Sequence, residues 1–125
     1  MKSQKFSIKT RLKSFKYAFN GLKILWKEEH NARIHFLFVI VVLIAGFTFN
    51  ISLIEWMLLI FAMGFVITTE IINSSIENLA DFVESKQNPH IKKIKDLAAA
   101  AVLFSALTAI VIGLIIFIPK ALKLF

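Results

Sequence analysis

Residues 52–84 read SLIEWMLLIFAMGFVITTEIINSSIENLADFVE: an apolar run broken only by Glu55, then four carboxylates from Glu70 to Glu84 with no Lys or Arg among them. No Gly or Pro lies between Phe65 and Glu84, so one continuous helix is predicted to leave the lipid and carry its acids past the boundary. At roughly 100° per residue, Glu70, Asn73, Glu77 and Asp81 share a stripe about 80° wide. Like charges four residues apart weaken a helix, and ionised groups beside hydrocarbon are costly. Something cationic from elsewhere should sit against this face, and a divalent metal is the leading candidate.

The rest of the chain supports a membrane setting. Its 125 residues are 58% hydrophobic and only 18% charged, with a mean hydropathy of +0.74, outside the range of soluble globular domains. The block from Phe36 to Thr69 holds enough residues for a helical hairpin that turns near Asn50-Ile51-Ser52, and the uncharged block from Leu97 to Pro119 forms one further span. Three crossings are expected, at 34–49, 52–84 with an extension beyond the lipid, and 89–118. Before them, Ile8, Leu12, Phe15, Phe19, Leu22 and Trp26 alternate with Lys9, Lys13, Lys16, Lys23 and Lys27, which predicts an amphipathic helix over 8–29 lying in the interface. Asn88 is placed to cap the last helix, with Pro89 at its first position, and Ala98–Ala101 offer a small face for close approach. The fold class is an all-α membrane protein in a single domain, 1–125.

Fifteen Lys and Arg against eight Asp and Glu give a net charge of +7, and the distribution sets orientation. Nine basic residues precede Ile34, four lie between Phe82 and Asp96, and none lies near Asn50. The positive-inside rule therefore puts the N-terminus and the acidic stripe at the cytosolic face, where ATP is available, and the Asn50 turn outside. The basic residues flank apolar helices without a nucleic-acid motif, so anionic headgroups are expected partners and nucleic acid is not. No cysteine is present, which excludes disulfide and thiol chemistry. The polar and amphipathic start argues against a cleaved leader.

Phosphoryl transfer requires a hard cation held by oxygen, basic groups for the phosphates and a group to position the attacking hydroxyl. Glu29 and Glu77 can offer carboxylates to Mg²⁺, Lys95 and Arg11 can meet phosphate oxygens, and Glu70, nearest the bilayer, can approach a lipid hydroxyl. Lys13 and Tyr17 can reach a phosphate from the same surface helix as Arg11. Plainer readings stand beside these: a solvated acidic face, a simple interfacial anchor over 8–29, and a boundary charge pair at Lys95-Asp96. Glu55 and Trp56 are expected to anchor the outer interface. His30, His35 and His90 lack zinc-ligand spacing, and no glycine-rich nucleotide loop or G-x-S-x-G elbow is present. The alternative from another class is a non-catalytic membrane protein, an ion-conducting oligomer or accessory subunit whose stripe forms a cation vestibule.

The pattern Glu70-x-x-Asn73-Ser74-x-Ile76-Glu77-x-x-x-Asp81, followed by Lys95-Asp96-x-Ala98-Ala99-Ala100-Ala101-Val102, resembles the small prokaryotic diacylglycerol kinase and undecaprenol kinase family. Glu29 with Arg33, Gly21-Leu22 and the three-crossing layout fit as well, over nearly the whole chain; Ser75 stands where the family usually has Ala. The resemblance implies a homotrimeric bundle in the bacterial cytoplasmic membrane, with sites shared between subunits, that phosphorylates a membrane lipid alcohol with MgATP. It implies Glu70 as general base and Glu29 and Glu77 as metal ligands. It further implies that Asn73, Asp81, Lys95 and Asp96, with Arg11, Lys13 and Tyr17, hold the nucleotide or order the site. The stretches Asn31–His35 and Gly113–Pro119 look more like the undecaprenol branch.

Overall fold

The computed structural model describes residues 5–125 as four helices: α1 (Ile8–Glu28), α2 (His30–Thr48), α3 (Leu53–Val83) and α4 (Pro89–Leu122). The last three are long and apolar enough to cross a membrane. At about 1.5 Å per residue α3 is roughly 46 Å long, well beyond a hydrocarbon core of about 30 Å, so its acidic end projects past the lipid.

Between α1 and α2 the break is a single residue. Glu29 is extended (φ −112°, ψ 109°), and the Arg33 guanidinium caps the end of α1, with Nε donating to the Trp26 carbonyl at 2.6 Å and Nη2 to the Lys27 carbonyl at 3.0 Å. Those carbonyls have no partner within α1, and a cation there also complements the helix dipole. This capping lets α2 begin at His30, one turn before the expected start at Ile34. Only Leu25 of α1 is buried.

The α2–α3 turn is specified locally. The backbone N–H of Asn50 donates to the Phe47 carbonyl and that of Ile51 to the Gly46 carbonyl, while Asn50 takes a left-handed φ of 50°. This is a Schellman C-cap, with Asn tolerating the left-handed position. Ser52 and Glu55 then form a reciprocal capping box that starts α3. Asn88 accepts from the His90 N–H at 2.9 Å and Pro89 occupies the first turn of α4. The fourth helix was expected to stop at 118 but continues through Pro119 to Leu122. Proline removes a single N–H there, and Lys120 Nζ reaches Glu55 Oε1 at 3.0 Å, tying the end of α4 to the start of α3.

The principal packing pair is α3 against α4. Near the Asn50 end Ile51, Leu59 and Ile116 form a buried cluster, packed by Val42, Trp56, Met63 and Phe117. Trp56 therefore packs inward instead of anchoring an interface beside Glu55. Midway, Thr69 Oγ1 and the fully buried Ser105 Oγ lie 2.8 Å apart, an interhelical hydrogen bond in an apolar setting. Of the four alanines Ala98–Ala101, only Ala98 is buried against this pair.

Helix α2 packs against α3 where Gly46 meets Trp56. A Cβ at Gly46 would stand 2.5 Å from the Trp56 ring, which is itself held by Phe47 at a centroid distance of 4.9 Å. We expect Gly46→Ala to lower stability in detergent by about 1–3 kcal/mol, the usual cost of overpacking. Thermal unfolding measures this, and Trp56→Phe in the same background should recover part of the loss. An unchanged melting temperature for Gly46→Ala would remove the close approach from the account of the hairpin.

Candidate functional site

Periodicity predicts one stripe, and packing grades it by depth. Glu70 is 1% exposed, Asn73 and Ser74 are buried, Glu77 is half-buried and Asp81 is open to solvent. The broken backbone at Glu29 turns two carboxylates towards this face. Ser74 Oγ donates to Glu29 Oε1 at 3.5 Å, and Asn78 Nδ2 donates to Glu28 Oε2 at 3.4 Å while also bonding its own helix at Ser74. Glu77 adjoins Glu29, and the Glu70 charge is also felt at Glu29.

Partial burial, then the adjacent Glu77 charge and hydrogen bond, and then Glu70 push the Glu29 carboxyl above its usual value of 4.5, opposed by the Ser74 hydroxyl. Two buried oxygens, Glu70 Oε1 and Asn73 Oδ1, have no hydrogen-bond partner. Among the described residues no three His, Asp or Glu side chains converge as a closed metal cage. Two facing carboxylates with neutral oxygens beside them are instead a donor set for Mg²⁺, which takes one or two carboxylates and keeps waters or phosphates in its remaining positions. Glu29 and Glu77 fit that role.

Further along α3, Asp81 pairs with Lys95 of α4, and Lys92 pairs with Asp96 at 2.6 Å. These four side chains line a cleft of about 630 Å³ at the α3–α4 connection, walled by Pro89 and Ile91. The structure thus gathers Glu29, Glu70, Asn73 and Glu77 in one group and Asp81, Lys95 and Asp96 in an adjoining one. Arg11, Lys13 and Tyr17 are brought to neither. All three are exposed on α1, and among the described residues they make no ion pair or hydrogen bond with the acidic stripe. Arg11 lies instead over the Phe6 ring at 5.6 Å.

Four residues at the site have no role assigned from sequence: Ser74, Glu28, Asn78 and His35. Ser74 was visible inside the motif but without a role, and the Glu28–Asn78 contact depends on the turn at Glu29. His35 Nε2 stands 3.0 Å from Glu70 Oε1. The available signal for His35 was depth: it lies about one turn inside α2, and Glu70 is the first carboxylate that α3 reaches after its apolar stretch. His35 also forms one end of an apolar cleft of about 400 Å³ between α2, α3 and α4, lined by Val39, Val42, Ala62, Val66 and Phe117.

Residues 16–117 match the family described as prokaryotic diacylglycerol kinase. The undecaprenol kinase of Bacillus subtilis is 38% identical over 108 residues, spanning 86% of this chain and 88% of that protein. A diacylglycerol kinase of Helicobacter pylori is 36% identical over 104 residues, spanning 77% and 80%. A diacylglycerol kinase of Synechocystis sp. is 30% identical over 114 residues, spanning 90% of this chain and 65% of that protein.

The crowding of Glu29 carries a pH signature. A carboxyl held above its usual value stabilises the fold fully below pH 4.5 and loses that contribution as pH rises through the raised value. Glu29→Gln should therefore raise the melting temperature of chelator-treated protein at pH 7.5, and the gain should vanish below pH 4.5. Magnesium should raise the melting temperature of the wild type at pH 7.5 and act less on the variant. Scanning calorimetry at the two pH values checks both, and a variant less stable at neutral pH would overturn the reading of Glu29.

Proposed function

The chain belongs to the prokaryotic diacylglycerol kinase family, and from that membership and the graded acidic face we propose that it transfers the γ-phosphoryl group of MgATP to the hydroxyl of a membrane lipid alcohol at the cytosolic face of the bacterial inner membrane. Lipid kinase activity makes the stripe a catalytic surface and not the vestibule of an ion-conducting oligomer or the face of an accessory subunit. The observation that carries the mechanism is the depth order on α3. Glu70 is buried at the lipid level, and Glu77 lies about 10 Å further along the helix axis, beside Glu29.

In this reading Glu70 Oε accepts the proton of the lipid hydroxyl as that oxygen attacks the γ-phosphorus; the new O–P bond forms, the β,γ-bridging P–O bond breaks, and ADP leaves. The transfer is direct and in line, without a phosphoenzyme. Glu29 and Glu77 would hold Mg²⁺, which supplies charge neutralisation for the triphosphate when bound. Asn73, with its buried Oδ1 available, and the Asp81, Lys95 and Asp96 group order the nucleotide end. Arg11, Lys13 and Tyr17 find no partner on the stripe of their own chain, which supports a homotrimer in which the surface helix of one subunit supplies cations to the nucleotide site of the next.

The apolar cleft ending at His35 is suited to a lipid chain whose hydroxyl would arrive beside Glu70. For the acceptor we favour undecaprenol, in line with the higher identity to the Bacillus enzyme of that name, over diacylglycerol.

Two measurements in nanodiscs test this reading. With labelled ATP and Mg²⁺, label should pass to undecaprenol with a higher kcat/KM than to diacylglycerol; the reverse order would overturn the choice of acceptor, and no transfer to either would overturn the kinase reading. Glu70→Gln should lower kcat by about 10²–10⁴-fold, the usual worth of a general base, with nucleotide affinity retained. Glu77→Gln should instead weaken Mg²⁺-dependent nucleotide binding. Near-wild-type kinetics in both variants would remove the assignment of roles.

A further inference from the structure

Glu70 is buried, its Oε1 makes no hydrogen bond of full geometry, and Glu77 and Glu29 are its charged neighbours on the acid side. A general base in this position must be held in one rotamer. Arg33 donates to the Trp26 and Lys27 carbonyls and its guanidinium lies over the Trp26 ring, while Lys95 pairs with Asp81 and Lys92 with Asp96. Among the described residues, His35 alone comes within ion-pair distance of Glu70, at 3.0 Å from a different helix.

We propose that His35 is a positioning residue for the reaction: its imidazole Nε2, reaching from α2 to Glu70 Oε1 on α3, fixes the carboxylate so that its other oxygen faces the lipid hydroxyl. The ring sits off the line of a full hydrogen bond, and such contacts tighten when the base engages its substrate. His35 is only 22% exposed at its side chain, and it occupies the polar end of the apolar cleft, so the contact forms where a lipid head and the base would meet. The interaction also couples the orientation of the base to the packing of α2, which buries only Ala32 and Gly46. His35 touches the base and acts through it.

This inference rests on Glu70 being the base, and the test separates the two. Turnover of labelled ATP on undecaprenol in nanodiscs is measured for wild type, His35→Leu, His35→Asn and His35→Gln, with melting temperatures alongside. A Gln amide can reach the carboxylate and donate to it; the shorter Asn amide falls short and Leu cannot donate. Leu and Asn should each lower kcat by about 10- to 100-fold, the usual loss when a reacting group is displaced, with KM for ATP little changed. Gln should stay within a few-fold of wild type. Where Leu does not fold, the Asn and Gln pair carries the comparison. A kcat for Leu or Asn within twofold of wild type, a Gln variant as slow as Asn, or losses that follow KM for ATP would each overturn the role of His35 while leaving the kinase reading intact. A wild type without turnover, or Glu70→Gln retaining full activity, would remove the premise and the inference with it.

Discussion

The cost of holding carboxylates at low dielectric, beside lipid, governs how this chain is organised. Glu70 is almost wholly buried on a helix that spans the membrane, and Glu29 and Glu77 share the space one level further out. Burial of a charge is expensive unless it is paired. The chain carries a net charge of +7, yet among the described residues no Lys or Arg forms an ion pair with Glu29, Glu70 or Glu77; Lys95 and Lys92 pair with Asp81 and Asp96, and Arg33 caps the end of α1. What remains for three clustered acids is one imidazole. A hard cation held between Glu29 and Glu77 would relieve repulsion already present in the fold, which is the physical basis of the proposed magnesium site.

The backbone that presents these acids is rigid for reasons remote from them. Helices α3 and α4 form the bearing pair, closed at one end by the Lys120–Glu55 ion pair and the Ile51, Leu59, Ile116 cluster and pinned midway by Thr69 and Ser105. Helix α2 meets this pair mainly through Gly46 against Trp56 near the turn and His35 against Glu70 near the acids. Between the two contacts the helices part and leave the apolar cleft. Small side chains, among them Val39, Ala62 and Val66, line this gap. The cleft is apolar except at its His35 end, in keeping with the proposed lipid-alcohol acceptor.

Much of this was legible from residue order, and the remainder was tertiary. Three apolar helices follow from the charge-free blocks, the stripe from a repeat of three and four residues, and the start of α4 from Asn88-Pro89. Other features carry no local signal. The α1–α2 break depends on Arg33 reaching back to Trp26 and Lys27, so the polar turn from His30 is helical although nothing in its composition separates it from a loop. A single histidine on an apolar helix has no periodicity to read, and His35 acquires meaning only when its depth is matched with that of Glu70. Trp56 beside Glu55 has the composition of an interface anchor, and only the space left by Gly46 turns it inward.

The surface helix bears on assembly. Helix α1 buries Leu25 alone, and its basic residues project away from the acids of their own chain. A single subunit thus separates the two halves of a phosphate site, the carboxylates that would bind metal and the cations that would bind the triphosphate. Folding α1 back within one chain would require giving up the Arg33 capping of Trp26 and Lys27, which fixes Glu29 opposite Ser74. Bringing in α1 from a neighbouring subunit would require no such loss. The geometry of the Glu29 junction is therefore an argument for a site completed between chains, resting on the cost of the alternative.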